Sequence, residues 1–324
     1  MTTKIKKIIH DIEAEIANEV FHKGDQLPSL ADIRKTYGVS RDTGIRVYKD
    51  LTSRGIVNAV HGKGYFVAKS RTDIAINLFL LLDELTSYKE VLVRAINEQL
   101  KVNGDYQIFF HHFNPQMFQS LVYESIGKFT HYAISPFPEN ELVRQCLAAI
   151  PDHQLILLDR HDGQNQNYNF VGQEYHLDIF NGLKKINDKI QKYNRVQFIF
   201  PEPSYHPKEL KIGFKNFCDQ FGMPYQIHPK LSIEKVKKGD VFLVINDDDL
   251  TEIVKYSHRM QWKLGTDIGI VSYNETRLKS VVANGITTIS TDFKQMGERL
   301  IKVIEGNLIG QIHNPFKVWV RESI

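Results

Sequence analysis

Ile5, Ile8, Ile9, Ile12 and Ile16 recur at three- and four-residue spacing, which lays one apolar stripe along a first helix. That stripe needs partners to cover it. Gly24-Asp25 turns the chain, Leu27-Pro28 blocks a helix, and Ser29 caps a short second helix carrying Leu30, Ile33 and Arg34 that ends at Tyr37-Gly38. Ser40 is a second cap, ahead of a third helix over 41–54 whose inward face is Gly44, Val47, Tyr48 and Leu51. Two short helices about a glycine turn make a helix-turn-helix. Residues 56–60 and 65–67 then read as strands joined by the tight turn His61-Gly62-Lys63-Gly64, a hairpin wing behind the third helix.

From Ile74 onward the pattern changes. Strand-like runs at 74–82, 106–110, 131–136 and 154–159 alternate with amphipathic stretches at 89–102, 116–126 and 139–150. The alternation repeats with strands at 196–201, 224–228, 241–247 and 267–276 and helices at 208–221 and 250–264. Such a series predicts two doubly wound α/β lobes in tandem, with a ligand cleft at the carboxyl ends of facing strands. The short polar segment 69–73 reads as a linker between head and body.

Composition narrows the class. The 324 residues are 42% hydrophobic and 24% charged, which excludes a mainly disordered chain. Two cysteines, Cys146 and Cys218, are too few for a disulfide framework and lack metal-ligand spacing, so both are expected as buried thiols in a reducing cytosol. The run 74–82 is broken by Asn77 and falls short of the ~20 residues of a membrane helix. The N-terminal segment carries acids among its apolar positions, unlike a signal peptide. A cytoplasmic protein without membrane contact is expected. Net charge is only +3, yet residues 1–70 hold 12 Lys/Arg against 8 Asp/Glu. A basic head is joined to a near-neutral body.

The landmarks GDQLPS, YGVSR-T, L-RGI and HGKGYFV, in order over residues 4–67, resemble the winged-helix head of the GntR family of bacterial transcription regulators. LLDRHDG, NFVGQE, Gly213-Phe214, Asn246-Asp247, GTDIGIVSYNET and ITTISTDFKQMG, running to VWVRESI, resemble the type I periplasmic-binding-protein fold that LacI-type repressors use as effector domain. The resemblance implies a winged helix-turn-helix over 1–68 and an α/β effector domain over 74–324. Its N-lobe is expected over about 74–172 and 292–308, and its C-lobe over about 173–290 and 309–324.

A head of this kind neutralises phosphates and reads base edges with the start of its third helix in the major groove of double-stranded operator DNA. Arg41 is placed for a bidentate guanine contact. Ser40 and Thr43 supply hydroxyls at a helix N-terminus that itself favours phosphate, with Ser29 and Asp42 beside them. Arg46 and Lys49 face the backbone, and Gly62 lets the wing approach closely with His61 and Lys63. The chain departs from the family where Ala31 and Ile45 replace common arginines and Gly44 replaces a packed Val.

A sugar site needs paired acceptors and donors, a cationic fork and an aromatic face. Strand ends of the first lobe offer Asp83, Ser87, Tyr88, Asp159 and Arg160; the crossover offers Gln173 and Glu174. The second lobe offers Tyr205 and Lys208, then Asn246 and Asp248, then Tyr273, Asn274 and Glu275. Lys208 or Lys211 stands in for the family's arginine before Gly213-Phe214, and Asn274 for a usual acid. Asp247 and Asp248 read equally well as caps of the helix that follows, and Asn274 as a turn residue. Neither a metal nor a cofactor is expected: His111 and His112 point to opposite faces of a strand, and the run Asp247 to Asp249 lacks calcium-loop spacing. The resulting expectation is a homodimeric regulator, a repressor of a carbohydrate-utilisation operon that responds to a monosaccharide. Resemblance to sugar-responsive regulators of Bacteroidetes points to fucose. The alternative, a sugar-modifying enzyme with a DNA-binding head, needs a nucleophile or carboxylate dyad that the sequence does not display.

Overall fold

The computed structural model describes residues 3–17, 20–68, 76–100, 104–137, 140–161, 168–202 and 205–324. The expected linker, 69–73, lies outside them. Two compact units result: Met1–Leu85 with Ile96–Val171 and Arg299–Gln311, and Thr86–Ala95 with Gly172–Glu298 and Ile312–Ile324.

The head contains α1 (Thr3–Ala17), α2 (Leu30–Tyr37) and α3 (Arg41–Ser53). All five isoleucines of the α1 stripe are buried, in one cluster with Ile33, Val47 and Leu51, each burial stabilising by about 1.5–3 kcal/mol. Helix α2 starts in a reciprocal cap: Asp32 N–H donates to Ser29 Oγ at 3.2 Å and Ser29 N–H donates to Asp32 Oδ2 at 2.9 Å. It stops at Gly38, whose φ of 60° suits a residue without Cβ and whose N–H donates to the Arg34 carbonyl. Ser40 caps α3 by accepting from Thr43 N–H at 3.2 Å. Strands β1 (Val57–Val60) and β2 (Gly64–Val67) pair antiparallel as the wing. Tyr48 ties these pieces together: its ring stacks on Tyr65 at 3.9 Å and its hydroxyl donates to the Pro28 carbonyl.

The body continues β3 (Ile76–Leu82), α4 (Ser87–Leu100), β4 (Gly104–Phe110), α5 (Pro115–Ser125), β5 (His131–Ile134), α6 (Glu141–Ala148), β6 (Leu155–Asp159) and β7 (Asn169–Gly172). Then come α7 (Tyr175–Lys185), α8 (Asn187–Ile190), β8 (Arg195–Ile199), α9 (Glu209–Phe221), β9 (Tyr225–His228), β10 (Asp240–Val244) and α10 (Asp247–Arg259). The last elements are β11 (Gly269–Tyr273), β12 (Thr287–Thr291), α11 (Phe293–Ile304), β13 (Gln311–His313) and β14 (Phe316–Trp319).

One six-stranded sheet has the order β13-β7-β6-β5-β3-β4, the other β14-β12-β11-β10-β8-β9. Strand β3 pairs in parallel with β4 and β5, and β5 with β6. In the second sheet β9 to β12 are parallel and only β14 is antiparallel. Each sheet therefore reverses its winding beside its first strand, between β3 and β5 and between β8 and β10. Such a reversal opens a crevice at the strand carboxyl ends.

Three local expectations need correction. Residues 309–311, expected in the C-lobe, belong to the first unit and lead into β13 at the edge of its sheet, because Gly310 N–H donates to Asn169 Oδ1 at 2.8 Å and Gly310 C=O accepts from Phe170 N–H at 3.0 Å. Helix α10 begins three residues before the expected Leu250, since Asn246 caps it, and it ends at Arg259 rather than Leu264. Helix α7, which the hydrophobic pattern does not predict, buries Ile179, Gly182 and Leu183 together with Asp178; an acid on the inward face conceals the apolar stripe.

Candidate nucleic-acid interface and effector site

On α3 the residues Arg41, Asp42, Ile45, Arg46 and Lys49 are all exposed, while Gly44, Val47, Tyr48 and Leu51 are buried. Spacing of three to four residues puts the exposed group on one face. Ser40 Oγ lies 2.9 Å from Thr43 Oγ1, so the two hydroxyls form one unit at the helix start. Asp42 occupies the first turn, where a carboxylate suits the helix dipole. Ser29 serves the cap of α2, its hydroxyl donating to Asp32 Oδ2 at 2.6 Å. In the wing, His61, Gly62 and Lys63 are exposed, and positive φ at Gly62 and Gly64 allows the tight turn. Gln26, missed in the sequence, pins this turn by donating to the Lys63 carbonyl at 2.8 Å. Nothing local marks a loop glutamine for that role.

In the first unit the loops after β3 and β6 bring two expected residues together. Asp83 is buried; its Oδ1 accepts from Glu84 N–H at 2.7 Å and its Oδ2 lies 4.0 Å from the Arg160 guanidinium. Asp159 is buried at the end of β6 with φ 68°, and Arg160 stands 5.8 Å from the centre of the Phe113 ring. Ser135 was not anticipated. It follows β5 at the winding reversal, fully buried, and its Oγ has no hydrogen-bond partner among the described residues; strand order alone reveals this position. Its carbonyl accepts from His111 Nε2 at 3.0 Å, while His111 Nδ1 accepts from Phe113 N–H at 3.1 Å. His111 is thus a neutral, structural imidazole among Phe113, Phe118 and Phe137.

In the second unit Tyr88 packs on Phe293 at 4.9 Å. Ser87 is exposed in the first turn of α4. Glu174 pairs with His313 at 2.8 Å and lies 3.8 Å from His176. The Tyr273 hydroxyl donates to Gln173 Oε1 at 3.0 Å. Asn274 adopts φ 64°, and its buried Oδ1 has no hydrogen-bond partner among the described residues. Asn246 Oδ1 accepts from Asp249 N–H at 2.8 Å, and Asp248 is exposed in the first turn of α10. Tyr273, Asn274 and Asp247 are tied together by Lys279, a residue that no motif singles out. It is 4% exposed, donates to the carbonyls of Tyr273 and Asn274 at 3.1 and 2.9 Å, and pairs with Asp247 at 3.0 Å. Burial lowers its pKa and Asp247 opposes that.

Some expected effector residues are already engaged. Both Glu275 oxygens are held by Arg321 at 2.9 Å, and Thr288 donates to one of them; this residue fastens the C-terminal segment to the sheet and is withdrawn from the site. Lys211 pairs with Glu202 and lies 4.3 Å from the Phe200 ring centre, so it does not stand in for an arginine. Tyr205 and Lys208 are exposed ahead of α9. No group of three or more His, Cys, Asp or Glu able to hold a metal occurs among the described residues, and no described helix is long and apolar enough to cross a membrane.

Residues 4–67 match the family model of bacterial regulatory proteins, gntR family. Over 66 residues the chain is 30% identical to the uncharacterized HTH-type transcriptional regulator YcxD of Bacillus subtilis (strain 168), covering 20% of this chain and 15% of that relative. In fold it is similar to the trehalose repressor from Escherichia coli, with TM-score 0.62 and 15% identity over 76% of this chain and 100% of that one. It is also similar to the Lac repressor bound to ONPG in the repressed state, with TM-score 0.63 and 16% identity over 90% and 94%. A head that matches the gntR family model is thus joined to a body similar in fold to LacI-type repressors.

Proposed function

We propose that the chain is a cytoplasmic transcription regulator that binds double-stranded operator DNA as a homodimer and whose grip on it is changed by a small polar effector, most simply a monosaccharide. The carrying observation is the exposed face of Arg41, Arg46 and Lys49 on a gntR-type head, joined to a body of LacI-type fold. Arg41 reads a base edge; Arg46, Lys49, His61 and Lys63 hold phosphates. The first unit offers the buried Ser135 Oγ, which has no hydrogen-bond partner among the described residues, with Asp83, Asp159 and Arg160 near it in the fold. The second offers the buried Asn274 Oδ1, likewise without a partner among the described residues, with Tyr88, Gln173 and Tyr273. Such buried polar atoms are expensive to leave unmatched, and hydroxyls of a polyol are the kind of group that satisfies them.

Sugar enters the reading because fold neighbours include a trehalose repressor and a LacI-family regulator from Arthrobacter sp. FB24 in complex with lactose. Repression of a carbohydrate operon is the corresponding physiological role, and fucose is the first compound to try. Dimerisation uses the body, where Leu278 and Val281 are about 70% exposed in the second unit and Met117, Tyr123 and Ile126 are exposed in the first. We read the body as binding its ligand without turnover. A thermal-shift screen against monosaccharides tests the class: a ligand at one hundred times its Kd stabilises by about 2.7 kcal/mol and should be recovered chemically unchanged. A chain indifferent to every sugar overturns the sugar assignment, and turnover of the bound sugar revives the enzyme reading.

A further inference from the structure

In the second sheet the β8-to-β9 connection carries α9 and the β10-to-β11 connection carries α10, whereas β9 reaches β10 through a single 3-10 turn, Ile233–Lys235. Side chains alternate across a strand. Val196 and Phe198 of β8 enter the core with Phe214 and Phe217 of α9, so Arg195, Gln197 and Ile199 face the other side. There, with His228 and Phe242, they line a cavity of about 970 Å³.

Beside Ile199, Leu231, Val236 and Phe242, this face carries a hydrogen-bonded polar chain. Arg195 donates to both oxygens of Asp240, at 2.8 and 3.1 Å, and Asp240 and Gln197 are each 2% exposed. With its carboxamide turned to complement both neighbours, Gln197 accepts from Arg195 Nε at 2.6 Å and donates to His228 Nε2 at 2.7 Å. His228 then keeps its proton on Nδ1. Burial, then Lys235 and Arg195, push its pKa down, and Asp240 opposes them. Lys215 from α9 and Lys235 and Lys237 from the turn stand exposed around this floor. Of the two carboxylates lining the cavity, Glu202 is held by Lys211 and Glu234 alone faces the three lysines. A wholly apolar occupant would leave the buried polar chain of the floor without solvent or partner, and the cationic excess selects a negative one.

We propose that this cavity is a second ligand site of the body, which takes a small polyanion bearing phosphate or carboxylate groups. It shares none of the strand-end residues assigned above to the effector. The anion meets Lys215, Lys235 and Lys237 at the rim and the imidazole of His228 at the floor.

Calorimetric titration of the full chain at low ionic strength with inorganic pyrophosphate, and separately with citrate, tests the site and distinguishes the two chemistries. The expected result is saturable binding of one probe, weakened at least tenfold in a Lys215→Glu, Lys235→Glu, Lys237→Glu triple variant. A control triple at exposed Lys184, Lys255 and Lys302 should retain it. By NMR, His228 should titrate at higher pH in the complex than in the free protein. Absence of saturable binding by both probes, equal binding by both triples, or an unmoved His228 overturns the assignment. So does an acidic protein that binds this face where neither small anion does.

Discussion

Asp178 lies on the inward face of α7, buried, with Oδ2 unpartnered among the described residues. Burial and the neighbouring Glu174 charge push its pKa up to about 7. A folded-state value above the unfolded one means that its contribution to stability is complete below about pH 4 and is lost as pH rises through 7. Asp178→Asn, which removes the ionisable group at nearly constant volume, should therefore raise Tm at pH 8, by roughly a few kcal/mol of stability. Near pH 4 the two proteins should melt alike; parallel melts at both pH values would show that Asp178 does not titrate in this range. On the DNA side, Arg41→Ala should cost about 1–3 kcal/mol of specific binding and relax discrimination at one base pair, whereas Lys49→Ala should weaken all sequences alike. Fluorescence anisotropy with specific and scrambled duplexes separates the two patterns. Equal losses on both duplexes for Arg41→Ala would place base reading elsewhere.

Helices α7 and α9 approach so closely that a Cβ on Gly213 would stand 2.1 Å from the His176 carbonyl oxygen and 2.4 Å from Ile179 Cγ2. Backbone cannot yield as a side-chain tip can, so Gly213→Ala should destabilise the second unit by about 1–3 kcal/mol or more. Gly44 in α3 is different. A Cβ there meets only Leu30 Cδ2 at 3.1 Å, a flexible end, and Ile33 Cγ2 at 3.6 Å, while helix propensity favours Ala by about 1 kcal/mol. Gly44→Ala should thus stabilise the head modestly in urea melts, and a loss of stability there would show that Leu30 cannot move. The contrast also marks what a sequence discloses. Caps at Ser29 and Ser40, the turn at Gly38 and the α1 stripe are signals spanning a few residues, and they located the head. The tie of Glu275 to Arg321, 46 residues apart, and the hold of Lys279 on Tyr273, Asn274 and Asp247 depend on tertiary placement, so Glu275 looked available and Lys279 looked ordinary. Ser135 acquires meaning only through the order β4-β3-β5-β6.

At the scale of the whole molecule, charge and symmetry make a joint demand. Each head offers Arg46, Lys49, His61 and Lys63 as its exposed phosphate-facing groups, at most about four ionic contacts, and each released counterion contributes about −0.9 to the slope of log K against log salt. One head then gives a slope no steeper than about −4, and its affinity at physiological salt is that of non-specific binding. In the proposed homodimer, two heads joined through the body would give about −7 and would gain from the high effective concentration of the second once the first has bound. The apolar residues Leu278 and Val281 are the place to break that coupling, since both are exposed and a charge on either leaves the core of the chain untouched. Leu278→Glu with Val281→Glu should yield a folded monomer by sedimentation whose operator affinity falls at least tenfold and whose salt slope is roughly halved. A dimer that persists in this variant would move the interface to the α5 surface around Met117 and Tyr123. A monomer that keeps the steep slope would mean that the wing and α3 contact more phosphates than their exposed cations suggest.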